Sequence, residues 1–197
     1  MTDIKQFREV PLSNRFDNEE YDFTPWLKEH LHLLAEDDLL GFPLEEPQRE
    51  VDVGPYEADI VAQGGTNDLT VVIENEFGST DHKHLGQSLV YTAGEKADVA
   101  VWIAEEFTPE HAQALHMINT RTDDEIAFFG IEAGLRQIGD SPFAIDFVPV
   151  VRPENWSPVD AEEDISKTEE AELQFWKSFR SYLRPHDLDN YASRKVR

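Results

Sequence analysis

Residues 98–104, with the sequence Asp-Val-Ala-Val-Trp-Ile-Ala, place the strongest constraint on how this 197-residue chain folds. Their side chains are apolar on both alternating sides, which is typical of a strand in the middle of a sheet that is covered on both faces. A β-branched run at 69–73 predicts a second buried strand, and a helical pattern lies between the two runs. This strand, helix and strand predict a parallel crossover inside one sheet.

The remaining elements follow from local patterns. A polar N-terminal arm is expected over 1–23, followed by a helix that begins at Thr24-Pro25 and ends before Gly41. Residues 49–53 and 58–62 alternate on either side of Gly54-Pro55, which predicts a hairpin. Further helices are expected from Ser79 or Thr80 to about Ala93 and from Thr108 to Thr120, and further strands at 126–132, 135–138 and 143–151.

The C-terminal part of the chain differs in composition from the rest. Residues 154–165 are rich in proline and acid and predict a linker, which leaves 24–153 as the main domain. In 166–197, Ser166 and Glu169 have capping-box spacing, and apolar residues recur at helical spacing as far as Leu183. This predicts an amphipathic helix and tail that packs back, forms a homodimer, binds a partner subunit or begins a further domain.

The net charge is extreme, because 41 acidic and 17 basic residues give −24. The acids are spread along the whole chain, which excludes an acidic tail. Two interpretations remain: binding to a basic partner, which needs the charge on one face, and adaptation to molar salt, in which the Debye length shrinks to about 3 Å. Scarce lysine and ordinary apolar segments favour a halophilic protein. Strong negative charge disfavours nucleic-acid binding, but much less so in molar salt.

Other compositional features exclude several classes of protein. The chain has no cysteine, which excludes disulfides, thiolate nucleophiles and cysteine-bound zinc. It has no basic-then-apolar leader pattern and no apolar run of the roughly 20 residues that span a membrane. A cytoplasmic protein that does not bind membranes is therefore expected.

Three acids stand at unusual positions in the predicted strands. Asp59 interrupts an apolar strand, and Glu74 and Glu76 end the next one. Because strand side chains alternate, Glu74 and Glu76 lie on the same face and Asn75 on the other. Charged groups at such positions are costly unless they are paired or bind a metal, and Mg²⁺ prefers hard oxygen ligands of this kind. The sequence therefore predicts an acidic metal pocket.

These residues carry a resemblance to a known family. Asp59, the Glu74-x-Glu76 pair and Gln87-x-x-x-Tyr91 on the following helix resemble the PD-(D/E)XK nuclease superfamily, in particular its RecB-like branch. More narrowly, residues 22–156 are similar to prokaryotic proteins in which such a domain precedes a C-terminal domain of unknown function. The segments that carry this similarity are DFTPWL, YEADIVA, VVIENE, TDHKHLGQSLVYTAG, VWIAEEF, FFGIE and IGDSP.

The resemblance implies a restriction-endonuclease-like α/β fold, with a mixed central β-sheet flanked by helices and Mg²⁺ or Mn²⁺ as cofactor. It implies that Asp59 and Glu74 are metal ligands, that Gln87 orients the attacking water or the scissile phosphate, and that Tyr91 supports Gln87. The family has lysine at the position of Glu76, and a glutamate there implies a base or a further metal ligand.

Four further residues are candidates for an accessory role. Lys83 is a candidate replacement for the absent lysine, and Glu29 is a candidate acid from the first helix. His84 is expected to contact phosphate or to cap the pocket. Asp81, His82 and His84 suggest a metal site, but a short His-x-His without cysteine is weak evidence for zinc. His111 and His116 are expected on a helix surface.

Two functions of different classes fit these features. The first is metal-dependent hydrolysis of DNA phosphodiester bonds by an endonuclease of defence or repair, with Asp59, Glu74, Glu76, Gln87 and Tyr91 as its site. The alternative is a catalytically silent nuclease-like domain that binds nucleic acid or protein, which is motivated by Glu76 and the negative charge.

Overall fold

The elements that carry the candidate residues lie in one mixed sheet with its covering helices. The computed structural model describes residues 4–36, 39–65, 69–122 and 126–153. The strands are β1 (Arg8–Val10), β2 (Leu44–Val53), β3 (Tyr56–Gly64), β4 (Leu69–Ser79), β5 (Val99–Glu106), β6 (Ala127–Gln137) and β7 (Ala144–Val151), and the α-helices are α1 (Thr24–Glu29), α2 (His82–Glu95) and α3 (Pro109–Arg121).

The strands are ordered β1-β6-β5-β4-β3-β2, and β7 also pairs with β6. Strands β4, β5 and β6 are parallel to one another, whereas β2, β3 and β4 form an antiparallel meander. The predicted hairpin, the parallel crossover and the central position of residues 98–104 are confirmed. The predicted α/β class, with a mixed sheet flanked by helices, is also confirmed.

Both faces of the sheet are covered. Alternate residues such as Ile73 and Val101 face the N-terminal segment and α1, and the others, such as Trp102, face α2 and α3. On this second face, α2 contributes the buried side chain of Tyr91 and α3 contributes that of Leu115. Strand β5 is therefore buried on both sides, as its composition predicts.

The polar arm expected over 1–23 is instead part of the core from β1 onward. Leu12 lies in a 3-10 turn (Leu12–Asn14), and Phe23 ends a π-helical turn (Glu19–Phe23). Both are fully buried, and Phe16 packs edge-on against Phe23 with a centroid distance of 5.2 Å. The buried apolar residues of this segment are Val10, Leu12, Phe16 and Phe23, and most of the residues between them are exposed, so overall composition was a poor guide.

The first helix is shorter than expected. It ends at Glu29 and is followed by a 3-10 turn over Leu31–Leu34. The imidazole Nδ1 of His30 lies 2.7 Å from the carbonyl oxygen of Trp26, and the N–H of His30 donates to Leu27 instead. The side chain thus competes for the carbonyl that the next helical hydrogen bond would use.

Strand β6 is one continuous element where two strands, 126–132 and 135–138, were expected. Its first half pairs with β5, and its second half pairs with β7 and β1. The N-cap of α2 is Asp81 rather than Ser79 or Thr80, because β4 continues to Ser79. The predicted N-cap of α3, Thr108, is confirmed.

Helix α2 crosses close to the β2–β3 hairpin at Gly94. A Cβ atom placed on Gly94 would lie 2.3 Å from Cγ1 of Val53, which is closer than any side chain allows. Glycine therefore allows the C-terminal part of α2 to approach β2, which fixes how the helix lies across the sheet.

None of the described helices has both the length and the apolar composition that crossing a membrane requires. The expected linker at 154–165 and the amphipathic helix within 166–197 lie outside the described residues.

Candidate active site

Asp59 and Glu74 lie where strands β3 and β4 part. The last backbone pair between the two strands is Ile60 with Ile73. Beyond it, β3 continues beside β2 and β4 continues beside β5. The N–H of Asp59 donates to Oε1 of Glu74 at 3.2 Å, and the N–H of Asn75 donates to Oδ2 of Asp59 at 2.9 Å. The two carboxylates thus accept hydrogen bonds from backbone N–H groups that no longer pair between β3 and β4.

Burial perturbs both carboxyl groups. Glu74 is only 2% exposed, and its pKa is raised, first by burial and then by the negative charge of Asp59. The pKa of Asp59 is also raised by burial, against the lowering effect of its hydrogen bond from Asn75, and nearby Glu19 adds to the rise. Ionising two close carboxyl groups that have little access to water is costly, and a bound cation would relieve that cost.

The donor set fits a divalent metal ion. Asp59 and Glu74 provide hard oxygen atoms, which Mg²⁺ and Mn²⁺ prefer. On the adjacent helix α2, Oε1 of Gln87 is buried and has no hydrogen-bond partner among the described residues. A buried amide oxygen without a donor is rare, and it is satisfied by a bound water or by a metal ion with its water shell.

Glu76 lies on the same face of β4 as Glu74 and is 3% exposed. The indole Nε1 of Trp102 donates to its Oε1 at 2.8 Å. Its Oε2 lies 2.8 Å from Nδ1 of His84, and the same nitrogen lies 2.9 Å from Oδ1 of Asp81. The hydrogen bond to Glu76, more than the one to Asp81, raises the pKa of His84 to about 9. His84 therefore carries positive charge beside the acids at neutral pH.

Gln87 and Tyr91 lie on the face of α2 that covers the fork, which is the point after Ile60 and Ile73 where β3 and β4 part. The amide Nε2 of Gln87 donates to the phenol oxygen of Tyr91 at 3.0 Å. Burial raises the pKa of Tyr91, the hydrogen bond from Gln87 lowers it, and the charges of Glu74 and Asp59 raise it. The phenol is thus within electrostatic reach of both carboxylates.

Asn75 points to the opposite face, as the strand alternation predicts. Its side chain exchanges hydrogen bonds with the hydroxyl group of Thr24, with Nδ2 to Oγ1 at 3.0 Å and Oγ1 to Oδ1 at 3.2 Å. Both residues are buried. This contact ties the start of α1 to the strand that carries Glu74 and Glu76.

Sequence reasoning missed Glu19. Its Oε2 accepts the N–H of Phe77 at 2.6 Å, directly after Glu76. Burial raises the pKa of Glu19, with a further rise from Glu76, while His84 and Lys83 lower it. The signal available was Asn18, which caps the turn that follows it by accepting the N–H of Tyr21. Nothing in the sequence indicates that this turn packs against β4.

Two other accessory candidates lie at the surface. Glu29 is the exposed last residue of α1, so the acid that approaches the site from the N-terminal segment is Glu19. Lys83 is exposed on the first turn of α2, and its charge reaches Glu19.

The prediction of a surface position was wrong for His111. It is 5% exposed, because its ring packs 5.3 Å from the ring of Trp102. Its Nε2 lies 2.7 Å from Nδ1 of His82, and its Nδ1 lies 2.8 Å from the hydroxyl oxygens of Thr80 and Thr108. The pair joins the N-termini of α2 and α3. His116 is exposed, as expected.

Comparison with known proteins adds little to this geometry. No protein-family model matches the chain, and no curated protein is significantly similar to it. Among solved structures, the crystal structure of a repair endonuclease from Pyrococcus abyssi is similar, with a TM-score of 0.42 and 14% identity. The aligned region covers 58% of this chain and 60% of that chain. Similarity at this level assigns no activity.

Proposed function

We propose that this chain is a divalent-metal-dependent nuclease that hydrolyses phosphodiester bonds in DNA. The observation that carries the proposal is the pairing of Asp59 with Glu74 at the fork between β3 and β4, where Glu74 is buried, Asp59 is half-buried and both have raised pKa values. A site of this kind is unfavourable without a cation and favourable with one. The motif order that resembles the PD-(D/E)XK superfamily supports the same function.

In this proposal Asp59 and Glu74 hold Mg²⁺ or Mn²⁺. When bound, the ion polarises the phosphoryl group, lowers the pKa of a water molecule and neutralises charge on the leaving oxygen. Gln87 keeps one buried amide oxygen free to orient the attacking water, and its amide nitrogen is held by Tyr91. Each side chain is thereby positioned before substrate binds.

Glu76 replaces the lysine of the family pattern and acts here with His84. Trp102 orients the Glu76 carboxylate from one side, and the imidazole of His84 binds it from the other. The positive charge that the family draws from lysine is supplied by His84, which is held between Glu76 and Asp81. In this role His84 contacts the phosphate of the substrate.

The proposed setting is the cytoplasm of a cell with molar internal salt. The net charge of −24 repels DNA at low ionic strength. In molar salt the Debye length is about 3 Å, so this repulsion is largely screened. A defence or repair endonuclease is the proposed role, with a homodimer or a partner subunit formed through residues 166–197.

A nuclease assay in molar KCl with Mg²⁺ or Mn²⁺ tests the function. The double variant Asp59→Asn and Glu74→Gln is expected to lose at least a hundredfold in cleavage rate. The matched control is Asp52→Asn and Glu57→Gln, which makes the same two chemical changes at exposed positions of the β2–β3 hairpin and leaves the rate unchanged. Cleavage that survives the first double variant contradicts the proposal.

The second candidate is a catalytically silent nuclease-like domain that binds nucleic acid or protein. It is favoured by Glu76, which stands in the place of lysine and has both oxygens engaged by Trp102 and His84. Calorimetry separates the two candidates. Absence of Mn²⁺ binding together with retained DNA binding supports the silent domain.

A further inference from the structure

Three potential ligand atoms converge beside the fork, on the connection between β4 and α2. One carboxylate oxygen of Glu76, one of Asp81 and one imidazole nitrogen of His84 all lie within 4.8 Å of one another. Nδ1 of His84 lies 2.8 Å from Oε2 of Glu76 and 2.9 Å from Oδ1 of Asp81. This set differs from the Asp59 and Glu74 pair because it includes an imidazole nitrogen.

The spacing suits a small metal ion. Zinc lies about 2.0–2.2 Å from imidazole nitrogen and carboxylate oxygen, so neighbouring ligands around it are separated by about 3.0–3.5 Å. The two contacts of His84 need to lengthen by only a few tenths of an ångström to reach that range.

The two carboxylates are already oriented from outside. Trp102 donates to the second oxygen of Glu76, so the indole fixes that carboxylate while leaving Oε2 directed at His84. Asp81 is the N-cap of α2, and its Oδ1 accepts the backbone N–H of His84 at 2.8 Å. Hydrogen bonds of this kind to metal ligands set their orientation and increase metal affinity.

The surrounding charge also favours a cation. Glu19 reaches the same region through its contact with Phe77, and the charges of Glu76 and His84 both act on its carboxyl group. With Glu76 and Asp81, this makes three carboxyl groups whose charges interact with that of His84.

We infer that Glu76, Asp81 and His84 form a binding site for a divalent first-row transition-metal ion, separate from the Asp59 and Glu74 pair. An imidazole ligand favours ions such as Zn²⁺ and Co²⁺ over Mg²⁺ and Ca²⁺, which take oxygen ligands, and Mn²⁺ binds both kinds of ligand. The ion replaces the proton on Nδ1 of His84 and, when bound, supplies the positive charge that the protonated imidazole supplies in the metal-free protein. The inference does not depend on nuclease activity, since it concerns binding alone.

The test uses the full chain without a histidine tag, in molar KCl, with Co²⁺ and Mn²⁺ as probes. Co²⁺ binding is followed by visible absorption. Mn²⁺ is examined by pulsed electron paramagnetic resonance, which detects a directly bound imidazole nitrogen. The wild type is expected to show the nitrogen signal, and His84→Ala to lose it together with at least tenfold in Co²⁺ affinity.

Two matched variants complete the design. Asp81→Asn removes one charged ligand but preserves the N-cap, because asparagine caps helices as well as aspartate does. It is expected to weaken Co²⁺ binding by about tenfold without a change in helix content. His116→Ala removes an exposed imidazole on α3 and is expected to leave Co²⁺ binding and the nitrogen signal unchanged.

The inference is overturned if the wild type shows no nitrogen signal, or if that signal and the Co²⁺ affinity persist in His84→Ala. The Asp59→Asn and Glu74→Gln double variant distinguishes it from the proposed function. Retained Co²⁺ binding in that variant, with cleavage lost, supports both assignments. A wild type that binds Co²⁺ through His84 but cleaves no DNA supports only the metal site.

Discussion

The N–H of Asp59 donates to the carboxylate of Glu74, while the carboxylate of Asp59 accepts the N–H of Asn75, the residue after Glu74. The two acids thus replace the backbone ladder at the point where β3 and β4 part. The opening of the sheet and the candidate site are the same structural feature. A change at either acid therefore affects the sheet as well as any bound ion.

The first prediction concerns pH. The pKa values of Asp59 and Glu74 are raised above their ordinary values of 3.8 and 4.5, so the folded state binds these protons more tightly than the unfolded state. Metal-free protein is therefore expected to lose stability as the pH rises above that range towards the raised values, by at most about 1.4 kcal/mol per pH unit for each group. The measurement is the guanidinium unfolding midpoint as a function of pH.

The Asp59→Asn and Glu74→Gln variant isolates this effect from the other acids. Below the ordinary carboxyl range its stability is expected to approach that of the wild type, and at neutral pH it is expected to exceed it. Saturating Mg²⁺, which takes oxygen ligands, is expected to remove the difference by stabilising only the wild type. Parallel pH profiles for the two proteins would contradict the prediction.

The second prediction concerns Trp102 and Glu76. Trp102→Phe removes the indole donor and leaves one oxygen of a buried carboxylate unsatisfied, so a loss of about 1.5–3 kcal/mol in unfolding free energy is expected. Removal of the larger ring adds a packing loss. A double-mutant cycle with Glu76→Leu, which removes the acceptor, separates the two contributions, since the hydrogen-bond part is coupled to Glu76 and the packing part is not.

The third prediction concerns the approach of α2 to β2. Gly94→Ala places a methyl group 2.3 Å from Cγ1 of Val53, and overpacking of this kind costs about 1–3 kcal/mol. Val53→Ala in the same chain is expected to recover part of that loss. Gly86→Ala is the control, because a Cβ there meets no atom within 4 Å. Since alanine favours helix, Gly86→Ala is expected to stabilise by up to about 1 kcal/mol.

The fourth prediction concerns salt. With a net charge of −24, the folded state is destabilised by self-repulsion, which screening reduces. Between about 0.15 M and 1 M KCl the Debye length falls from about 8 to 3 Å, so the thermal unfolding midpoint is expected to rise over that range. NaCl is expected to act equally at the same ionic strength. An unchanged midpoint would contradict the interpretation of the charge as adaptation to salt.

Local sequence patterns predicted much of the fold, because whether a segment forms a helix or a strand depends largely on residues that are close to it in the sequence. The double-sided apolar run at 98–104 identified the central strand, and Thr108-Pro109 identified the start of α3. Where a local pattern predicted the wrong end of an element, a side-chain hydrogen bond or pairing with a strand distant in sequence set that end instead. The imidazole of His30 ended α1 early, and pairing with β7 and β1 extended β6 across a predicted break.

The sequence by itself determined the order of the elements from β2 to α3 and placed Glu74 and Glu76 on one face, because strand alternation follows from backbone geometry alone. Only the tertiary structure decided which groups meet there. It brought Glu19 to Phe77, buried His111 against Trp102 and set His84 between Glu76 and Asp81. These contacts depend on how α2 and the N-terminal segment pack on the sheet, and that packing is governed by shape and burial across the whole domain.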